Sequence, residues 1–239
     1  MSLSNKVILL SGANRGIGAA TVRELLKHGV AKIYAGARDV KSLPDFGDAR
    51  VVPMQLDVTS EASVAKAASV ATDVDILINN AGTMGFGDWV DSPRNAVDAD
   101  MNTNFYGTHR VIKAFIPQFT RRGSGTIANV VSIVGLAAVP LLAGYSASKA
   151  ALHSLTQGLR GTLQKQGITV IGIYPGPIDT DLAKAIPLAK VSAEHAAANI
   201  VRGIENGDAF IFPDPMALQV EQLWAGNGRQ LEAAMQVGG

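Results

Sequence analysis

The sequence predicts an α/β fold in which a doubly wound, parallel sheet of about seven strands carries helices on both faces. Three observations predict it. Short apolar, β-branched runs alternate with longer segments of helical periodicity from one end of the chain to the other. The runs are almost continuously apolar, as strands covered on both faces must be. A glycine-rich turn joins the first run to the first helix. A (β/α) barrel needs eight strands, and an eighth is hard to find.

The strands are read at Lys6–Ser11, Lys32–Ala37, Arg50–Leu56, Val74–Asn79, Thr126–Ser132, Ile168–Tyr174 and Ala209–Phe212. Between them the periodicity predicts helices over Gly16–His28, Ser60–Ala71, Asn95–Arg121, Gly144–Gln166 and Ala193–Asn206. The last is the clearest: Ser192 can cap it, Ala196, Ala197, Ile200, Val201 and Ile204 share one side, and Gly207 stops it. Pro53 lacks the N–H that an interior strand donates, so the third strand belongs at an edge, where the order 3-2-1-4-5-6 puts it. From Pro213 onward the alternation breaks and no element is assigned. With no linker, repeat or low-complexity tract, all 239 residues are expected to form one domain. Its cofactor half covers about 1–125 and its catalytic and substrate half about 126–239.

Composition narrows the function. Hydrophobic residues make up 47% and the formal net charge is +1, which suits a protein with a sizeable core and gives no electrostatic case for nucleic acid or an acidic membrane. No apolar run is long enough to span a bilayer, and the N-terminus lacks the long apolar stretch of a signal peptide. The chain has no cysteine, so it holds no disulfide, thiolate metal site or catalytic thiol; this fits a reducing, cytoplasmic setting. His28, His109, His153 and His195 share no metal-ligand spacing, and no metal is expected. A serine-hydrolase elbow, G-x-S-x-G, does not occur.

The turn after the first strand reads Ser11-Gly12-Ala13-Asn14-Arg15-Gly16-Ile17-Gly18. Gly12 allows a tight turn, Gly16 lets a pyrophosphate approach the backbone, and Gly18 lets the helix pack on the strand. The helix N-terminus then offers free N–H groups to phosphate. The second strand ends in Gly36-Ala37-Arg38-Asp39. Ala37 cannot bind a ribose hydroxyl, whereas Arg38 and Arg15 can converge on a 2′-phosphate, which favours NADP(H) over NAD(H). Asp39 is the dissenting residue, since a carboxylate could reach the ribose of NAD.

An ordered series of motifs then resembles the short-chain dehydrogenases/reductases, from about Lys6 to Asp181. It comprises SGANRGIG at 11–18, Asp57 after the third strand, Asn79-Asn80-Ala81-Gly82 after the fourth, and Asn104 with Gly107 in the next helix. Ser132 follows the fifth strand, Tyr145 and Lys149 stand one helical turn apart, and Pro175-Gly176-Pro177-Ile178-Asp179-Thr180 follows the sixth. The resemblance implies a catalytic set of Asn104, Ser132, Tyr145 and Lys149. It also implies a cofactor held by Gly12, Asn14, Arg15, Gly16, Ile17 and Gly18, by Arg38, Asp57 and Val58, and by Asn80, Ala81 and Gly82. Tyr145, Lys149, Pro175, Gly176, Ile178 and Thr180 complete that set. Asn102 rivals Asn104, and Asp57 could simply cap the helix at Ser60.

The chemistry of these residues agrees with the resemblance. Reduction of a ketone creates an alkoxide that needs a proton, and an unperturbed phenol near pKa ~10 is a weak partner at neutral pH. The Lys149 ammonium should lower the Tyr145 pKa, and Ser132 can donate to the carbonyl oxygen. The resemblance implies that Lys149 also grips the nicotinamide ribose and that Asn104 links it to solvent through water. The expected reaction is NADP(H)-dependent interconversion of an apolar ketone or aldehyde and its alcohol. A non-catalytic NADP sensor, or an isomerase or dehydratase on the same scaffold, is the alternative.

Val134, Leu142 and Leu182, joined by Leu136, Met84 and Phe86, are the expected substrate contacts, all apolar. Only a short stretch separates Thr180 from Ser192, so the lid should be small and the site open. The partners expected are a small carbonyl or alcohol and a second copy of the chain. A homodimer or homotetramer would form through the helices Asn95–Arg121 and Gly144–Gln166, with Ala147, Ala150 and Ala151 permitting close approach.

Overall fold

The computed structural model describes residues 1–236. Its main sheet is parallel and has seven strands in the order β3-β2-β1-β4-β5-β6-β9. The strands are β1 (Val7–Ser11), β2 (Lys32–Ala37), β3 (Val51–Gln55), β4 (Ile76–Asn79), β5 (Gly125–Val130), β6 (Ile168–Ile173) and β9 (Phe210–Ile211). A separate two-stranded parallel pair joins β7 (Ile178–Asp179) to β8 (Val191–Ser192). Strand order reverses between β1 and β4, and ligands bind beyond the carboxyl ends of the strands at such a switch point. Pro53 lies on the edge strand β3, as its missing N–H requires.

Alternate side chains along each strand feed opposite faces. Ile8 and Leu10 of β1 pack with Val22 and Leu25 of α1 (Gly16–Leu26) and with Ile200, Val201 and Ile204 of α6 (Ala193–Asn206). Leu9 faces the other way, toward Val64 of α2 (Glu61–Val70) and Val111, Ile112, Phe115 and Phe119 of α4 (Thr108–Arg122). Each such fully buried side chain contributes about 1.5–3 kcal/mol relative to exposure, so both faces are tightly specified.

The segment read as one helix over Asn95–Arg121 is three pieces. α3 (Arg94–Asp100) runs into a π-helical segment (Met101–Gly107), which continues as α4. Gly107 is required there, because a β-carbon would stand 2.8 Å from Val58 Cγ2. The other long helix is α5 (Ala143–Leu163), followed by a 3₁₀ turn at Gln164–Gln166. The unassigned tail forms α7 (Pro215–Gly226) and α8 (Gly228–Gln236). Trp224, Val220 and Leu231 from these helices close an aromatic cluster with Tyr174, Phe210 and Phe212. Among the described residues no helix is long and apolar enough to cross a membrane.

Candidate active site

A cleft of about 480 Å³ opens beyond the carboxyl ends of β1, β2 and β4. Its floor is the glycine turn. Gly12 and Gly16 have φ of +70° and +52°, which side-chain-bearing residues adopt only with strain. Gly18 is compelled by packing, since a β-carbon would lie 2.0 Å from the Gly12 carbonyl oxygen. The turn is buttressed by β4: Asn80 Nδ2 donates to the Ser11 and Gly12 carbonyls at 3.1 and 3.0 Å. Ser11 Oγ accepts from the Asn80 and Ala81 N–H groups. Arg15 stands at the N-cap of α1 without a side-chain hydrogen bond to the helix, whereas Ser60, Ser192 and Asp214 cap α2, α6 and α7. The first N–H groups of α1 are thus left to a ligand, and a dinucleotide pyrophosphate fits that requirement.

Gly12, Asn14, Arg15, Gly16, Ile17, Gly18, Arg38, Asp57, Val58, Asn80, Ala81, Gly82 and Thr180 all line the cleft, as does Leu182 from the substrate set. Asp57 Oδ1 accepts from the Thr59 hydroxyl and N–H, which holds its carboxyl below the usual range; Ser60, not Asp57, caps α2. Asp39 also lines the cleft, but its Oδ1 is engaged by Lys41 N at 2.9 Å. Ser42, Thr83, Thr103 and Asp181 are cleft residues that sequence reading did not single out. Arg15 reaches across to Asp181 at 3.5 Å, an exposed pair of little energetic weight.

The cleft does not include Tyr145, Lys149, Pro175, Gly176 or Ile178 among its lining residues. Ile178 is buried in β7, and Gly176 N is bound to Asp214 Oδ2 at 2.7 Å. Tyr145 and Lys149 nevertheless sit beside the cleft on the first turns of α5, with Lys149 Nζ 5.6 Å from the Tyr145 ring centre. Lys149 is 3% exposed and donates to the Val130 carbonyl at 2.8 Å. Gly82 separates it from Asn104: a β-carbon there would be 3.0 Å from Asn104 Oδ1 and 3.8 Å from Lys149 Nζ. Ser132 Oγ donates to the Pro175 carbonyl at 3.2 Å and is close enough to Tyr145 to hydrogen-bond it.

One sequence expectation needs correction. Lys149 does not lower the Tyr145 pKa in the chain alone. Burial pushes the phenol up to about 12, Ser132 pulls it down, and the negative charge of Asp100 raises it further. Burial also drives Lys149 down to about 8, against an upward pull from Asp100. A desolvated ammonium is a weakened cation, so desolvation outweighs attraction here. Asn104 is fully buried. Its amide accepts from Thr83 N and donates to Thr83 O and Ser148 Oγ, all within 2.9 Å, so its side chain braces the loop after β4. Asn102, its rival, makes no such bonds.

Of the expected substrate contacts, Val134 and Leu142 are buried core residues packed with Tyr145, Met84 and Leu136. Leu182 and Phe86 are exposed. The loop carrying Phe86 is stitched to the approach of α5 by Gly87 N to Leu141 O and Ala143 N to Gly87 O.

Comparisons with known proteins agree with this geometry. The family profile described as short chain dehydrogenase matches residues 6–190. A curated relative, an uncharacterized oxidoreductase of Staphylococcus saprophyticus, is 35% identical over 193 residues, covering 77% of this chain and 82% of the relative. The crystal structure of a short chain dehydrogenase from Burkholderia cenocepacia in complex with NADP superposes with a TM-score of 0.92 at 36% identity, over 98% of this chain and 99% of that one. A dehydrogenase/reductase from Burkholderia phymatum in complex with NAD shares the fold, with a TM-score of 0.84 at 23% identity over 93% and 94% of the two chains. A glycine cradle at the switch point, a Ser-Tyr-Lys group just beyond β5 and on α5, and these likenesses together establish that the chain belongs to the short-chain dehydrogenase family of oxidoreductases.

Proposed function

We propose that the protein is an NADP(H)-dependent carbonyl reductase, interconverting an apolar ketone or aldehyde and its alcohol. The observation that carries this reading is the placement of Ser132, Tyr145 and Lys149 together, beside a cradle with an uncapped helix N-terminus. When bound, the nicotinamide supplies the hydride in reduction and accepts it in oxidation. The residues of the chain do the rest. Tyr145, protonated throughout the neutral range, hands its proton to the carbonyl oxygen. Ser132 can turn its hydroxyl from Pro175 toward that oxygen and steady it. Lys149, titrating near 8, can re-supply the phenol.

Arg15 and Arg38, both lining the cleft, with Asp39 engaged by its own turn, support NADP(H) over NAD(H). The NADP complex of the Burkholderia cenocepacia protein supports the same choice. Residues from about 1 to 125 would then form the cofactor half and from about 126 to 239 the catalytic and substrate half. Phe86, Trp89, Leu141 and Leu182, exposed on loops near α5 and the cleft, support an apolar substrate. A homodimer or homotetramer would use α4 and α5, where Ala150 is exposed.

The test is NADPH consumption over a panel of apolar ketones and aldehydes, for the wild type and Tyr145→Phe. The wild type should turn over, and the variant should lose at least about 100-fold in kcat while binding NADPH unchanged, since a proton donor contributes 10²–10⁴. NADPH binding without turnover by the wild type would indicate a sensor. Equal rates with NADH would overturn the cofactor choice.

A further inference from the structure

We propose that Asp100 is the resident counter-charge of the Tyr145–Lys149 pair and the positioning residue of the loop after β4. The inference deepens the reading of that pair as a proton-handling unit and rests on it.

Asp100 ends α3 and is 2% exposed, yet no ion pair among the described residues includes it. A buried carboxylate without a cation needs donors. Asp100 has them: Thr83 Oγ1 donates to Oδ1 at 3.0 Å, and Gly85 N reaches Oδ1 and Oδ2 at 3.2 and 3.0 Å. Thr83 is also the residue whose N–H and carbonyl clasp Asn104. Asp100 and Asn104, on consecutive helical turns, therefore grip the same loop from one side.

The carboxylate also lies against α5. A β-carbon on Gly144 would stand 3.4 Å from Asp100 Oδ2, and Tyr145 is the next residue. α5 has no side-chain cap and no acid in its own first turn. Asp100 supplies that missing negative charge from a neighbouring element, where the helix dipole favours it. Among the described residues no other charged group competes. On α5, His153 turns to Tyr174; on α3, Arg94 and Asp98 pair with each other at the surface. Tyr106 of the π-helical segment is 51% exposed, and the described part of β5 holds no acid or base. Asp88, half-buried on the loop beyond Gly87, accepts from the Val90 and Asp91 N–H groups, and Asp91 is exposed. Among the described residues Asp100 accordingly is the one carboxylate whose field raises both members of the pair.

Removing a nearby negative charge must lower both proton affinities, here by about one unit. The experiment follows Lys149 directly, by NMR titration of lysine side-chain carbons in the cofactor-free protein, with the Lys149 resonance identified by its loss in Lys149→Arg. In Asp100→Asn the midpoint should fall by about one unit, while Asp100→Glu keeps it within a few tenths. The pH profile of carbonyl reduction reports independently. Reduction needs the protonated phenol, so the alkaline limb should move to lower pH in Asp100→Asn. A purely structural role would lower kcat and leave that limb in place. An unmoved Lys149 midpoint in Asp100→Asn, or one displaced as far in Asp100→Glu, overturns the inference. If the Asn variant does not fold, Asp100→Ser substitutes for it, and the Glu variant decides if neither does. The titration needs no turnover, so failure of the proposed reaction and failure of this inference are distinguishable.

Discussion

At the scale of the residue, the site is a place where the chain holds groups against their ordinary preferences. Lys149 keeps an amine beneath the protein surface with one carbonyl partner. Its folded value near 8 lies below the ordinary 10.5, so the unfolded chain binds a proton that the folded chain releases between those limits. Stability therefore carries the full penalty below about pH 8 and recovers as pH rises toward 10.5. Tyr145 runs the other way: its folded value near 12 exceeds 10, so its contribution is complete below pH 10 and is lost as pH climbs to 12. The Lys149 shift corresponds to about 3 kcal/mol, an upper bound because the denatured chain is not fully solvated. Lys149→Met preserves volume and removes the ammonium, and Asp100 keeps its three backbone and hydroxyl contacts. The variant should be more stable than the wild type at pH 7, by about 1–3 kcal/mol, with the difference shrinking as the pH approaches 10.5. Urea melts at pH 7 and pH 10 measure it. A variant less stable at pH 7 would mean that the Val130 contact outweighs desolvation.

At the scale of the element, the glycine turn shows how packing rather than flexibility selects glycine. A methyl group on Gly18 would penetrate the Gly12 carbonyl, and backbone cannot yield as a side-chain tip can. Gly18→Ala should destabilise the protein by about 1–3 kcal/mol and weaken NADP(H) binding at least tenfold, read by thermal melting and fluorescence titration. Gly158, inside α5, meets nothing within 4 Å. Gly158→Ala should stabilise by up to about 1 kcal/mol, a control for helix propensity alone. These features are legible in the sequence because local spacing encodes them: the seven strands of the main sheet, the turn and the Tyr145–Lys149 turn of α5 fall within a residue or two of their expected places, whereas the short pair β7–β8 is not read from the sequence. The break of Asn95–Arg121 into α3, a π-helical segment and α4 is not, because seven residues are too short a stretch to show a change of period. The π-helical turns are set by Gly107 against Val58 and by Asn104 against Thr83, which are contacts between distant segments. Asp100 escaped for the same reason. An acid closing a helical run reads as surface until the neighbouring loop and α5 cover it.

At the scale of the whole molecule, the tail is hydrogen-bonded to the segment that holds Ser132. Sequence reading lost the chain after Pro213 because two prolines flank Asp214 and the strand-helix alternation stops. Yet Asp214 is 2% exposed and touches both regions at once. Its Oδ1 accepts from Ala217 N and caps α7, and its Oδ2 accepts from Gly176 N. Pro175, one residue before, holds the Ser132 hydroxyl through its carbonyl. A path of three hydrogen-bonded contacts thus runs from the start of α7 to the residue expected to steady the substrate carbonyl. Gly176 must be glycine, because a β-carbon would stand 2.7 Å from Asp214 Oδ1. Asp214→Ala removes a helix cap and leaves the Gly176 N–H without its partner, so it should cost about 2–4 kcal/mol. Asp214→Asn retains one acceptor and should cost about half as much, provided the amide turns its oxygen toward one of the two N–H groups. If the tail acts on the site through this carboxylate, the Ala variant should also lose kcat in carbonyl reduction at a temperature where it remains folded. The Asn variant should lose less. Thermal melts paired with kcat at 20 °C below each melting point separate the two effects. A kcat unchanged in a measurably destabilised Ala variant would show that α7 and α8 stabilise the fold without setting the position of Ser132.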